Sequence, residues 1–270
     1  MLNYFLFAGA YVLGWFLFDQ IKLKNQTGGN YLAFHDISDK FDLSITRLSP
    51  HRFNYIIKCL AKSGFKGTSI DGLKNEKDIA LTFDDGWEGF YDDVFPVLYK
   101  HNFSATVFVV AGYVGKKSVW DYRKKTHLSW EQVKTLASEG IEIASHSINH
   151  VDLRNLDDKQ LEYEVAGSKK KIEDKLGLPV KHFSYPFGRY DRRVIDAVKQ
   201  AGYEKAFTLG VGKGDYAVGR RAIYLYDTPY SVYLKLTGDS WLERCKDYVN
   251  NSLAGGTITL RKLFPVKDKG

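Results

Sequence analysis

Cysteine is scarce in this chain. Its 270 residues hold two, Cys59 and Cys245. Neither sits in a CxxC pair or at metal-ligand spacing, which excludes a disulfide framework and a thiolate metal centre. Cys59 falls on the apolar face of an expected helix and reads as a buried thiol. Internal repeats and low-complexity segments are also missing. A formal charge of +7 suits an anionic surface such as a cell-wall polymer or a membrane. The lysines are scattered, however, and the KKK run at 169–171 reads as a solvated helix face. With no aromatic-basic module of the RNA-binding kind, nucleic acid is not an expected partner. With 44% hydrophobic and 15% aromatic residues, the chain has ample material for a core, so disorder is not expected.

Charge is missing altogether from residues 2–18, LNYFLFAGAYVLGWFLF. Those 17 residues reach the low end of a membrane-spanning helix. Tyr4, Tyr11 and Trp15 could act as interfacial anchors. Residues 1–21 are therefore expected to form a transmembrane or signal-anchor helix, with 22–30 as a linker that includes NQTGGN. Lys22 and Lys24 follow the run and no basic residue precedes it, so the charge bias alone would leave the rest of the chain in the cytoplasm.

From Tyr31 onward, short apolar strands alternate with amphipathic helical stretches. Strands are expected at 31–34, 79–83, 104–110, 141–144, 180–185 and 205–209. Helices are expected at 49–63, 129–139, 157–176 and 191–201. This alternation argues for an α/β fold with a largely parallel sheet. Roughly seven such units favour a barrel, which places its chemistry at the C-terminal ends of the strands.

Three strand ends carry candidate chemistry. LTFDDG sets Asp84 beside Asp85, followed by a glycine that permits a sharp turn. Adjacent carboxylates raise each other's pKa unless a cation or a division of roles separates them. The pair reads as a metal ligand beside a free base, or else as turn chemistry capping the next helix. After the 141–144 strand, SHSINH sets His146 and His150 four apart, a spacing that suits one divalent metal. One Asp and two His make a facial set of three ligands with open positions. The third strand runs into SYPFG, where a turn built on Tyr185, Pro186 and Gly188 can aim backbone N–H groups at a developing oxyanion.

LTFDDG, HSINH and YPFG, in this order, resemble the polysaccharide deacetylases of the NodB-homology type, carbohydrate esterase family 4. The segments PVLYKHNFSATVFV and LSWEQVKTLASEGIEIASHS are similar to that family as well, and the likeness spans residues 31–224. It implies a distorted (β/α) barrel of about seven strands, here preceded by the N-terminal apolar helix, with a catalytic domain over 31–270. It also implies one divalent metal held by Asp85, His146 and His150. Zinc suits this donor set, which is open to cobalt, nickel, manganese and iron. Asp84 is implied as the general base, with the metal and the Tyr185 N–H on the oxyanion.

Two family features are missing. The third motif has Ser184 where many members carry an arginine that orients the base. Arg221, or its neighbour Arg220, at the start of RAIYLY resembles a later arginine used by some subfamilies, and Arg221 is the choice made here. The late Leu-x-His motif is absent too, since the C-terminal region offers only GTITLRK. Instead YLAFHDI places His35 after the first strand. This resembles the circularly permuted poly-N-acetylglucosamine deacetylase branch, with His35 as general acid. Trp87 is the candidate for stacking on a sugar, whereas His51, His101, His127 and His182 lack motif context.

The resemblance implies a metal-dependent hydrolase that removes N-acetyl groups from an N-acetylglucosamine-type glycan. It would be anchored to a membrane or exported, with the catalytic domain outside the cytoplasm. The alternatives are an O-acetyl esterase of the xylan type and a non-catalytic glycan-binding protein of the same fold. A phosphoesterase would call for a more carboxylate-rich two-metal site.

Overall fold

The computed structural model describes residues 30–39, 44–118, 124–237, 243 and 246. The strands are β1 (Tyr31–Phe34), β2 (Asp36–Ile37), β3 (Arg47–Leu48), β4 (Lys66–Thr68), β5 (Asp78–Phe83), β6 (Thr106–Val109), β7 (Lys117–Ser118), β8 (Lys125–Thr126), β9 (Glu142–Ser145), β10 (His182–Ser184), β11 (Lys205–Leu209) and β12 (Val218–Ala222). The helices are α1 (Pro50–Lys62), α2 (Phe95–Lys100), α3 (Trp130–Ser138), α4 (Asp158–Leu176), α5 (Arg192–Gln200) and α6 (Pro229–Thr237).

Seven parallel strands close on themselves in the order β1-β12-β11-β10-β9-β6-β5, and β5 returns to β1 with Phe34 opposite Phe83. β4 adds to the N-terminal half of β5, with Gly67 opposite Ile79. The expected barrel is therefore present. Its strands read as continuous apolar runs because the lumen covers one face and helices cover the other.

Alternation along each strand sorts the side chains. Ala80, Phe108, Ala144 and Phe207 share a small lumen cluster with Ile70, while Ile79, Leu81 and Phe83 belong to the larger core. In that core Phe83 stacks on Phe34 at 5.0 Å and meets Phe90 edge-on at 4.8 Å, directly beneath the Asp84-Asp85 turn. Truncating such a buried ring to alanine costs about 3–5 kcal/mol.

The helices start and stop where their end residues dictate. Ser49 caps α1 by accepting from the Arg52 N–H, and Ser129 and Gln132 form a reciprocal capping box on α3. Gly177 ends α4 in the left-handed conformation. Two expectations are corrected. RAIYLY is strand-like in sequence, yet the strand runs from Val218 to Ala222, and β4, not among the expected strands, is too short to stand out as an apolar run. Cys59 is half-buried rather than buried.

The apolar segment 2–18 and most of the 22–30 linker lie outside the described residues. Among the described residues, no helix is long and apolar enough to cross a membrane.

Candidate active site

Strand parity carries the site to one end of the barrel. Ala80 and Thr82 face the lumen, so Asp84, two further on, faces its mouth. Asp85 has the opposite parity. It takes φ 70°, and Gly86 follows at φ 66°, which turns the chain back over the mouth. At Gly86 an added Cβ would lie 3.1 Å from the Val109 side chain and 3.3 Å from its backbone. Two adjacent carboxylates thus reach one site by a backbone bend. His146 continues the parity of Glu142 and Ala144 on β9, and His35 that of Tyr31 and Ala33 on β1.

Asp85 Oδ1 lies 3.3 Å from His150 Nε2 and 3.7 Å from His146 Nε2. The three residues are buried, and one donor atom from each lies within 4.8 Å of the others. His146 Nδ1 donates to the Ser184 carbonyl at 2.8 Å, which directs its Nε2 lone pair toward Asp85. Burial, reinforced by nearby His150, pushes the His146 pKa down to about 4, so the ring is neutral near neutral pH. One carboxylate and two imidazole nitrogens fit a divalent transition metal. The hairpin between the histidines is held from α4. Glu164 Oε2 accepts from the Ile148 and Asn149 N–H groups at 3.0 and 2.9 Å, and Oε1 accepts from Asn149 Nδ2 at 2.6 Å.

Asp84 has a different environment. Both of its oxygens accept from Arg220, Oδ1 from Nη1 and Oδ2 from Nη2, each at 2.8 Å. The guanidinium is 1% exposed and also reaches Thr82 Oγ1 at 2.9 Å and Ser184 Oγ at 2.8 Å. Burial alone would raise the Asp84 pKa. The Arg220 guanidinium, by its charge and its hydrogen bonds, outweighs it and holds the carboxyl well below its ordinary range. His35 Nε2 stands 3.7 Å from Asp84 Oδ2 across the mouth, beyond direct hydrogen-bond reach.

Several expected residues change role. Arg220, not Arg221, meets Asp84; the two alternate across β12, and Arg221 falls on the face away from the lumen. Ser184 stands where an arginine was expected, and its small side chain hydrogen-bonds the guanidinium arriving from β12. The Tyr185 N–H is committed to the Phe207 carbonyl at 3.0 Å, a ladder bond that removes it from oxyanion duty. The Gly188 N–H is bound to the Tyr185 carbonyl at 2.8 Å, and Pro186 has none. Phe187 sits between them at φ 60°, its ring 4.5 Å from that of His150. Trp87 is 4% exposed and offers no sugar platform. Its indole N–H instead donates to Asp85 Oδ2 at 3.1 Å.

His127 was passed over for lack of motif context. It is buried against Trp87 at 4.3 Å, with Nδ1 2.9 Å from the Asp85 carbonyl. Nothing in the local sequence signalled this, because the contact spans 42 positions.

Residues 71–206 match the family model described as polysaccharide deacetylase. YxkH of Bacillus subtilis, named for this family, is 32% identical over 202 residues, spanning 72% of this chain and 68% of that protein. The peptidoglycan-N-acetylglucosamine deacetylase of Bacillus cereus is 33% identical over 131 residues, 48% of this chain and 55% of that one. The chain thus spans little more than half the length of that second relative. Among solved structures, the Streptococcus pyogenes deacetylase PplD superposes with a TM-score of 0.68 at 22% identity, covering 76% of this chain and 96% of that one, a likeness of fold alone. IcaB from Ammonifex degensii matches with a TM-score of 0.62 at 25% identity over 77% and 94% of the two chains. That likeness is consistent with the circularly permuted branch, as is the place of the His35 strand at the start of the barrel. The chain belongs to the polysaccharide deacetylase family.

Proposed function

We propose that this barrel mouth hydrolyses the acetamide of N-acetylglucosamine-type units in a glycan. One observation carries the reading: a buried carboxylate, Asp84, is held ionised by Arg220 beside a buried Asp/His₂ ligand set. A divalent ion held by Asp85, His146 and His150 would supply Lewis acidity, lowering the pKa of water and polarising the acetyl carbonyl.

The chain's own residues divide the remaining work. Asp84 accepts a proton from the attacking water, and Arg220 fixes which way its carboxylate points. The Phe187 N–H donates to the oxyanion, since its neighbours in the turn have no N–H to offer. His35 gives a proton to the departing amine. Its Nε2 stands 3.7 Å from Asp84 Oδ2, too far for a direct hydrogen bond, and so can reach a leaving group without displacing the base. The choice of an N-acetylglucosamine unit is supported by the activity named for the Bacillus cereus relative.

Acetate release from N-acetylglucosamine oligomers, set against release from an O-acetylated xylan, tests the reading. Faster release from the N-acetyl substrate, abolished by a chelator and restored by zinc, is the expected result. Release from the xylan alone would move the assignment to an esterase. Glycan binding without release from either substrate, metal present, would make the chain a binding protein.

A further inference from the structure

The opposite, N-terminal end of the barrel carries a second constellation that the deacetylation reading leaves unused. Glu142 opens β9 and His182 opens β10. Both face the lumen by parity, four positions below His146 and two below Ser184. Asp71 lies in the short turn Ile70–Gly72, which plugs this end with Ile70 in the lumen cluster. Glu204 immediately precedes β11.

Glu142 is fully engaged. Its Oε2 accepts from the Ile70 N–H at 3.1 Å and from Thr106 Oγ1 at 2.7 Å, and its Oε1 takes the Nδ1–H of His182. This fixes the imidazole with its Nε2 directed outward. His182 is 0% exposed, and that Nε2 meets no hydrogen-bond partner among the described residues. It faces Asp71 Oδ1 at 3.6 Å, too far for a hydrogen bond even if the ring were doubly protonated. With a neutral ring, two acceptors would confront each other across that gap. A cation between them removes the conflict. His182, Asp71 and Glu204 can each bring one donor atom within 4.8 Å of the others. Lys181 does not fill the place: its Nζ binds Asp71 through Oδ2 at 2.9 Å and lies 3.9 Å from Glu204.

We propose that His182, Asp71 and Glu204 form a second divalent-cation site at the closed end of the barrel, with Glu142 orienting the imidazole from behind. A carboxylate behind a metal-bound histidine is the usual way its tautomer is set. One imidazole and two carboxylates suit zinc or another first-row divalent ion. Lys181 competes for the same two carboxylates, so the site binds more weakly than the one at the mouth. The ion would tie the plug turn to β10 and β11, far from the reacting groups, and the proposal stands independently of the function assigned to the mouth.

Zinc stoichiometry of the full chain, measured by competition with a chromophoric chelator, tests it. The parent should bind two equivalents. His146→Ala/His150→Ala should retain one, the weaker. In that background Asp71→Asn and Glu204→Gln should each weaken the remaining site at least tenfold. Both residues are exposed, so neither change threatens folding. Lys181→Met should tighten the site several-fold, which a purely structural salt bridge would not do. One equivalent that vanishes in His146→Ala/His150→Ala overturns the proposal, as does a second equivalent indifferent to Asp71→Asn and Glu204→Gln. One equivalent that survives in His146→Ala/His150→Ala and is lost in Asp71→Asn supports it even if the mouth binds no metal.

Discussion

Arg220 grips Asp84 through two parallel contacts, both at 2.8 Å, within a lumen that leaves the guanidinium 1% exposed. Removing the cation leaves a buried carboxylate with burial as the dominant influence, so its pKa rises. The ionised fraction of Asp84 is then lost at higher pH, and the acid limb of the pH–rate profile shifts upward in Arg220→Met. A fall in kcat on the order of 10²-fold is expected, because the base is mispositioned as well. Breaking a buried pair from one side also costs about 3–5 kcal/mol of stability. The stabilisation from the lowered Asp84 pKa is full above the unfolded carboxylate value of about 3.9 and is lost as pH falls through the folded value. Arg221→Met should leave the profile and the rate close to the parent's. Comparing the two pH–rate profiles checks the assignment.

Trp87 is buried and bonded to Asp85, which predicts an effect on the ligand set and not on sugar binding. Its indole N–H holds Asp85 Oδ2, and Lys125 stands 5.0 Å from its ring centroid. Trp87→Phe keeps the ring and deletes the donor. Zinc affinity should fall about 10–100-fold, while KM for the glycan stays near the parent value. A raised KM with unchanged zinc affinity would return Trp87 to a stacking role.

Glu164 splints the hairpin between the two histidines, where Ser147 takes φ 65° and His150 φ 54°. Glu164→Ala strands the buried Ile148 N–H, at a cost on the order of 1–3 kcal/mol. Both the melting temperature and zinc affinity should drop. Equilibrium unfolding with and without zinc separates the two effects.

His35 is expected to matter in proportion to the leaving group's need for a proton. An amine must be protonated as it departs, whereas a nitrophenolate need not be. His35→Asn should therefore cut acetate release from N-acetyl oligomers about 10²-fold and leave 4-nitrophenyl acetate hydrolysis little changed. Equal losses on both substrates would point to a positioning role.

Much of this architecture was legible in the chain. The strand ends at Asp84-Asp85 and His146 announced themselves because buried apolar runs stop abruptly at polar residues. The barrel followed from strand–helix alternation. Arg220 stood only as the alternative to Arg221, because the strand-like run RAIYLY begins at Arg221. Once β12 is set at Val218–Ala222, parity alone selects Arg220. The Tyr185 assignment failed for a different reason. Whether a backbone N–H is spent in a ladder depends on the neighbouring strand, here on Phe207, which lies 22 positions away in sequence. His127 acts across 42 positions and Glu164 across 15 and 16, separations that short motifs do not encode.

The central claim is that Asp85 holds a metal while Asp84 moves a proton. Zinc content and acetate release, measured side by side in Asp84→Asn and Asp85→Asn, separate these roles most directly. Asp84→Asn should keep zinc at the mouth and lose about 10²–10⁴-fold in acetate release. Asp85→Asn should lose that zinc and its activity together. Zinc lost from Asp84→Asn but retained by Asp85→Asn, or acetate release undiminished in Asp84→Asn, would contradict the account.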